Sequence, residues 1–231
     1  MYSLNLRGIL LNINKYIDQT LLKYNVTEKD YVEFVNRSAP YNFRSLVVPS
    51  TYVKLVSSIS TLPVAGVAGF PYGYHTLSTK LKEIEDIASG GGKEVDVVIN
   101  INNVKSGKWK DVRGEVKALV RRAHELGLGI KIIVETSVLN DEELRNVSRI
   151  LIEEGADSIK TNSGYGPRGV SLRDVFLIKR FVGNRIRIKA SGGIRDPITA
   201  ATLIALGADI LGTSSGIQIV EDAKKLLMYI R

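Results

Sequence analysis

The chain has no cysteine among its 231 residues. That removes disulfide frameworks, zinc–thiolate sites, iron–sulfur clusters and thiol nucleophiles in one step. Histidine is nearly as scarce, with only His75 and His124. His124 falls in a helical stretch at 116–126, so neither a multi-histidine metal site nor a Ser-His-Asp triad has the parts to be built. The chemistry must rest on nitrogen or oxygen groups, with no metal and no other cofactor expected. No segment reaches the roughly 20 apolar residues of a membrane-spanning helix. An apolar stretch at 8–11 is interrupted by Asn12 and Asn14, and no small-residue cleavage site follows it. A cytoplasmic protein with no membrane partner is expected. Long basic runs are missing too. The net charge of +8 is scattered through helical stretches such as 112–126 and 171–180, without an aromatic-interleaved basic patch, so nucleic acid is not an expected partner.

What is present is a 44% hydrophobic chain of a length that α/β barrels commonly use for one domain. From about residue 16, short Val- and Ile-rich runs alternate with stretches of helical period, the pattern of repeated β-α units. Eight strands are expected, at 17–22 (the weakest), 45–49, 64–70, 95–101, 130–136, 158–163, 186–191 and 209–214. Helices are expected at 77–88, 110–126, 141–154, 171–181, 197–206 and 218–229. Gly-Ala-Asp recurs at Gly155-Ala156-Asp157 and Gly207-Ala208-Asp209, each time between a helix and a strand. Eight such units favour a closed (β/α)8 barrel, a TIM barrel, as a single domain over 1–231. Residues 1–15 read as an N-terminal helical or irregular extension. An open sheet stays in play only if the first strand is not real.

Strand parity then exposes an anomaly. Ile159, Ile186 and Ile188 alternate toward the helix layer, which turns Lys160 and Lys189 inward. The same alternation turns in Asp96, Val98 and Asn100 on the fourth strand, and Lys131, Ile133 and Glu135 on the fifth. It turns in Ser158 and Asn162 beside Lys160, and Arg187 and Ser191 beside Lys189. Two readings stand at this point: an internal salt-bridge network, or a chemical site. Two lysines on sequential strands suit one chemistry, in which a cationic neighbour lowers an amine's pKa and lets it attack a carbonyl to form a Schiff base. The loops after the last two strands, Ser191-Gly192-Gly193 and Gly212-Thr213-Ser214-Ser215-Gly216, sit where such barrels bind phosphate. Each alone also reads as an ordinary tight turn.

These residues resemble a known family, deoxyribose-phosphate aldolase, over most of the chain. The resemblance is carried by Asp18-Gln19-Thr20-Leu21-Leu22, by Gly69-Phe70-Pro71-Tyr72-Gly73 with Lys80 and Glu83, and by Glu94-Val95-Asp96. Most specific are Gly155-Ala156-Asp157-Ser158-Ile159-Lys160-Thr161, Ile188-Lys189-Ala190-Ser191-Gly192-Gly193-Ile194-Arg195 and Gly212-Thr213-Ser214-Ser215. The resemblance implies a (β/α)8 class I aldolase that reversibly cleaves 2-deoxy-D-ribose 5-phosphate to acetaldehyde and D-glyceraldehyde 3-phosphate. It implies Lys160 as the Schiff-base lysine, Lys189 as the cation that depresses its pKa, and Asp96 as the anchor of Lys189 and a proton relay. Two charges about 5 Å apart at an effective dielectric near 20 repel by roughly 3 kcal/mol, enough to bring Lys160 toward about 8. Gly192, Gly193, Ser214 and Ser215 would hold the phosphate, Asp18 and Thr20 would lie near the sugar hydroxyls, and Ser163 would keep a hydroxyl on the substrate loop. A homo-oligomer is expected.

Departures from the family pattern are Val47, where many relatives carry cysteine, and Asn162, where the usual residue is a small serine. Tyr229, expected in the last helix, receives no proton-transfer role. Glu135 and Lys131 read as a structural interior pair. Arg168 reads as either a phosphate contact or a loop charge. The alternatives are a Schiff-base aldolase for another phosphorylated aldehyde or keto acid, and a non-catalytic barrel that binds phosphate ligands or RNA.

Overall fold

Parallel strands cannot be joined by tight hairpins, so each of the apolar runs must be followed by a crossover, and a helix is the usual one. The computed structural model, which describes residues 6–229, has this arrangement throughout. The strands are β1 (Ile17–Thr20), β2 (Ser45–Pro49), β3 (Val64–Ala68), β4 (Glu94–Val98), β5 (Gly129–Ile133), β6 (Ser158–Lys160), β7 (Arg187–Ser191) and β8 (Ile210–Thr213). All pair in parallel with their sequence neighbours, and β8 returns to β1 to close the barrel. The doubtful first strand is therefore real, and an open sheet is ruled out. Closure removes every unpaired strand edge.

The helices are α1 (Leu6–Leu11), α2 (Glu28–Ser38), α3 (Val53–Ile59), α4 (Leu77–Ser89), α5 (Ile101–Lys105), α6 (Trp109–Glu125), α7 (Asp141–Glu153), α8 (Leu172–Val182), α9 (Pro197–Ala205) and α10 (Gly216–Leu227). Of these, α2, α3 and α5 add to the expected helices, while α1 falls within the expected N-terminal extension. The N-terminal α1 buries Leu10 and packs on α9 and α10. Residues 1–5 of the expected extension, and Ile230 and Arg231, lie outside the described residues. Tyr229 lies in a turn past the end of α10 and is 85% exposed, so its expected place in the helix is corrected. Helix starts are written locally. Thr27 with Asp30, Asn140 with Glu143 and Ser171 with Asp174 form reciprocal capping boxes for α2, α7 and α8. Asp196 caps α9, whose first residue is Pro197.

The main core lies between the outer face of the barrel and the helices. Ile159, Ile186 and Ile188 belong to it, as their parity requires. The Gly-Ala-Asp repeat also has a bonding role. Asp157 accepts a 2.8 Å hydrogen bond from the amide of Ile130, and Asp209 accepts one of 2.8 Å from the amide of Ile188. Each aspartate at the head of an even-numbered strand thus fixes the start of the strand before it.

Parity fails where a strand ends or meets solvent. Arg187, the first residue of β7, is exposed, because the N-terminal end of the strand opens to water. Asn100 stands two residues past β4 and caps α5 instead of facing inward. Glu135 lies two residues past β5 in a left-handed conformation (φ 55°).

Candidate active site

Inside the barrel the charged side chains converge on three carboxylates. Asp96, on β4, accepts hydrogen bonds from three lysines: Lys131 at 3.0 Å through Oδ1, and Lys160 at 2.9 Å and Lys189 at 2.6 Å, both through Oδ2. Lys189 also donates to Asp18 at 2.6 Å. Lys131 reaches Glu94 at 2.8 Å. Arg44 binds Asp18 at 2.6 Å and forks onto both oxygens of Glu94, and Ser45 donates to Asp18 at 2.7 Å. Asp18, Asp96 and Lys189 are fully buried, and Lys131 and Lys160 nearly so. The register places Lys160 directly beside Lys189 on neighbouring strands. Gly212 on β8 leaves room for the Lys189 stem, since a Cβ there would lie 3.0 Å from Lys189 Cε and 2.8 Å from Ser191 Cβ.

Four cations face three carboxylates, so loss of one proton neutralises the cluster. The geometry selects the amine that loses it. Lys189 contacts two carboxylates and Lys131 three, whereas Lys160 has only Asp96, which it shares. Burial, together with the charges of Lys189 and Lys131 and against the pull of Asp96, lowers Lys160 from the ordinary 10.5 to about 8. Burial also disfavours the Lys189 charge, but Asp18 and Asp96 outweigh it and hold that lysine above the ordinary value. Burial works against the Asp18 and Asp96 charges as well, and their cationic neighbours nevertheless keep both well below the ordinary carboxylate range. The free amine therefore belongs to Lys160. Expected repulsion from Lys189 is only part of the cause, since burial is the larger contribution.

Lys160 opens onto a cavity of about 260 Å³. Thr20, Ser163, Gly192, Gly193, Ser214 and Ser215 line it. Gly192 takes φ 99°, a conformation that L side chains rarely adopt, which lets the loop after β7 fold its backbone against the cavity. Ser215 precedes α10, whose N-terminus adds a favourable dipole for an anion. Asp18 is different. It does not line the cavity but sits behind Lys189, fully buried, so the expected place beside sugar hydroxyls is corrected to a place in the charge cluster. The Ser163 hydroxyl is already committed, donating 2.6 Å to Glu135.

Other expectations change as well. Asp96 holds three lysines, not Lys189 alone. Lys131 and Glu135 are not partners: Lys131 joins the cluster, while Glu135 accepts from the amide and hydroxyl of Ser163 and from Ser137. Asn162 turns away from the cavity, its Oδ1 accepting 2.6 Å from Thr136, because β6 ends at Lys160 and parity stops there. Arg168 is an exposed loop charge that pairs with Asp174 at 2.6 Å and bonds the Thr136 carbonyl. Val47 sits in a small apolar cluster with Ala65 and Val67 inside the barrel.

Sequence reasoning missed several contributors. Arg44 and Ser45 have partners 26 to 50 residues away, which no local spacing reveals. Gln19 accepts from the Gly216 amide at 2.9 Å and so fixes the start of α10. Lys23 and Arg195 line the cavity, and neither makes an ion pair among the described residues. Arg195 had a signal, since it follows the Gly-Gly loop directly. Among the described residues no group of three or more His, Asp or Glu side chains is arranged to hold a metal ion.

A family model described as DeoC/LacD family aldolase matches residues 13–222. A protein of Aquifex aeolicus (strain VF5) named deoxyribose-phosphate aldolase is 43% identical over 217 residues, which is 94% of this chain and 98% of the relative. Among solved structures, one described as "QR15, an Aldolase" superimposes with a TM-score of 0.91 at 42% identity, covering 96% of this chain and 100% of its own. A deoxyribose phosphate aldolase from Aeropyrum pernix, described as having a unique tetrameric structure, gives 0.89 at 32% identity over 95% of this chain and 94% of its own. The lysine pair and the glycine loops are thus embedded in a chain that matches these proteins over most of its length, and the chain belongs to the DeoC/LacD aldolase family.

Proposed function

We propose that this chain is a deoxyribose-phosphate aldolase that cleaves 2-deoxy-D-ribose 5-phosphate reversibly to acetaldehyde and D-glyceraldehyde 3-phosphate. One observation carries the assignment of roles: among the clustered lysines, Lys160 alone opens onto the cavity, and its pKa is lowered to about 8. At neutral pH that lowering raises the free-amine fraction on the order of 300-fold over an ordinary lysine.

The neutral Lys160 amine attacks C1 of the open-chain sugar. The carbinolamine loses water to give a protonated imine. Removal of the C3 hydroxyl proton releases the C3 aldehyde as the C2–C3 bond breaks, and its electron pair moves into the imine to form an enamine. Protonation at C2 followed by hydrolysis frees acetaldehyde and returns the amine. Lys189 and Asp96 stay behind Lys160, where Lys189 keeps the amine's pKa low and the pair exchanges protons with it. Asp18 and Arg44 hold that pair in place. Gly192, Gly193, Ser214 and Ser215 bind the phosphate, with Lys23 and Arg195 supplying positive charge at the cavity. Thr20 faces the sugar. Substrates are thus a phosphorylated sugar and small aldehydes.

In the same reading the protein is a cytoplasmic homo-oligomer. No helix among the described residues is long and apolar enough to cross a membrane, and the Aeropyrum pernix relative is described as tetrameric.

The test is intact-mass analysis after incubation with 2-deoxyribose 5-phosphate and borohydride. Wild type gains a reduced adduct that maps to Lys160, and Lys160→Ala gains none. A folded wild type without adduct sinks the covalent mechanism. An adduct formed without release of acetaldehyde points to another Schiff-base aldolase.

A further inference from the structure

One side chain outside the charge cluster spans the mouth of the barrel. Tyr165 rises from the loop after β6, and its hydroxyl donates a 2.7 Å hydrogen bond to the carbonyl of Leu22, just past β1. Since β1 and β6 are not neighbours in the closed barrel, this bond crosses the opening instead of joining adjacent loops. On its way the Tyr165 ring stands edge-on to Phe70, with centroids 5.5 Å apart and planes at 89°. The Phe70 ring centroid lies 5.9 Å from the Lys160 Nζ.

Both ends of this bridge are anchored. At the foot, the Tyr165 amide donates 3.1 Å to the Ser163 hydroxyl oxygen, and Ser163 gives its own amide and hydroxyl to the buried Glu135 at 2.9 and 2.6 Å. At the far end, Leu22 and Phe70 pack together on Val47, Ala65 and Val67. Tyr165 and Leu22 both line the cavity onto which Lys160 opens. A tyrosine with a merely solvated role would leave its hydroxyl in water, whereas this one, 39% exposed, spends it on a carbonyl across the mouth.

We propose that Tyr165 is a specificity-determining clasp, whose bond to Leu22 and edge contact with Phe70 hold an apolar wall beside Lys160 that favours a two-carbon aldehyde over longer ones. The inference rests on the aldolase reading. Acetaldehyde bound as an imine extends only a methyl group beyond the linked carbon. Propanal adds one carbon, which must press on the wall, and one methylene in a shaped apolar pocket is worth roughly 10- to 200-fold in discrimination.

The experiment measures kcat/KM for condensation of D-glyceraldehyde 3-phosphate with acetaldehyde and with propanal, alongside borohydride trapping of each aldehyde. The full chain is compared with Tyr165→Phe, which keeps the ring and loses the cross-mouth bond, and with Tyr165→Ala, which loses both. The ratio of the two aldehydes is read per active site, so partial misfolding cancels. The preference for acetaldehyde is expected to fall about tenfold in Tyr165→Ala and about threefold in Tyr165→Phe. Wild-type ratios in both variants, with the wild type trapping acetaldehyde normally, overturn the clasp alone. If the alanine variant does not fold, an unchanged ratio in Tyr165→Phe overturns the cross-mouth bond as its basis. Absence of any adduct in wild type overturns the aldolase reading and the clasp with it.

Discussion

The barrel interior has two unlike sides. On β2 and β3 the inward residues Val47, Ala65 and Val67 make a small dry cluster capped by Leu22 and Phe70. On β4 to β7 and on β1, inward positions carry Asp96, Lys131, Lys160, Lys189 and Asp18, linked into one network with Glu94 and Arg44. The charged side would be costly as mere filling, since buried ions lose solvation that their partners only partly return. The apolar side would be inert by itself. Placed together, the apolar side keeps water from Lys160 while the charged side decides which amine gives up its proton. The division of labour predicts that substitutions on the charged side change pH dependence, and that those on the apolar side change stability without changing it.

The largest effect expected is from Lys189→Met. Removing that cation takes away repulsion on Lys160 and leaves the shared Asp96 oxygen to Lys160 alone. The Lys160 pKa must rise from about 8, and each unit of rise removes tenfold of the free amine at neutral pH. Imine formation at pH 7 is expected to slow about 10- to 100-fold, with partial recovery toward pH 9 to 10. Leaving Asp18 and Asp96 short of a buried partner also destabilises the fold by about 3–5 kcal/mol. A pH profile of adduct formation and a urea titration read the two effects. A slowed reaction with an unmoved pH profile would break the assignment of Lys189 as the amine's electrostatic neighbour.

Much of this division was readable in the sequence, and the reasons for the rest are physical. Alternation along a buried strand is a strict two-residue rule, so Lys160, Lys189, Asp96 and Lys131 could be turned inward from the apolar residues flanking them. The rule has no force beyond the last ladder bond. Asn162, Glu135 and Asn100 each lie two residues past a strand, and all three took other roles. Arg187 failed at the opposite end, where the first residue of β7 meets solvent. Side chains whose partners are distant in sequence were invisible. Arg44 reaches 50 residues to Glu94, and Tyr165 reaches 143 to Leu22. The glycine- and serine-rich loops after the last two strands were legible as a place to look, because barrels of this kind use those loops, and both line the cavity beside Lys160. The role of Asp18 was not, since being near the site and lining it look alike in a motif.

A second prediction sharpens the charged side through stability. Lys160 carries its proton in the unfolded chain up to about pH 10.5 but in the folded chain only to about 8. Between those values the unfolded state binds more protons, so stability rises with pH. Below pH 8 the folded protein bears the full cost of charging Lys160, on the order of 3 kcal/mol for a shift of this size. Lys160→Met removes that cost. Its advantage over wild type in urea titrations should be greatest near pH 7 and shrink as pH approaches 10. An advantage that stays constant with pH would mean that Lys160 is not the group titrating in this window.

The smallest effect tests the apolar side. Val47 is fully buried and touches none of the charged groups by hydrogen bond, so Val47→Ala removes two carbons' worth of packing and leaves the ion network intact. A loss of about 1.5–2.5 kcal/mol follows from transfer plus a small cavity, or a fall in Tm of roughly 4–8 °C for a chain of this size. The pH profile of adduct formation should stay where it is in wild type, because neither the charges nor their spacing has changed. A cavity of one or two carbons surrounded by Ala65, Val67, Leu22 and Phe70 stays dry, since it offers a water no polar partner. If the profile nevertheless shifts to higher pH, water has reached Lys160 through the gap. The apolar cluster would then belong to the amine's electrostatics as directly as Lys189 does, and the two sides of the barrel would have to be treated as one device.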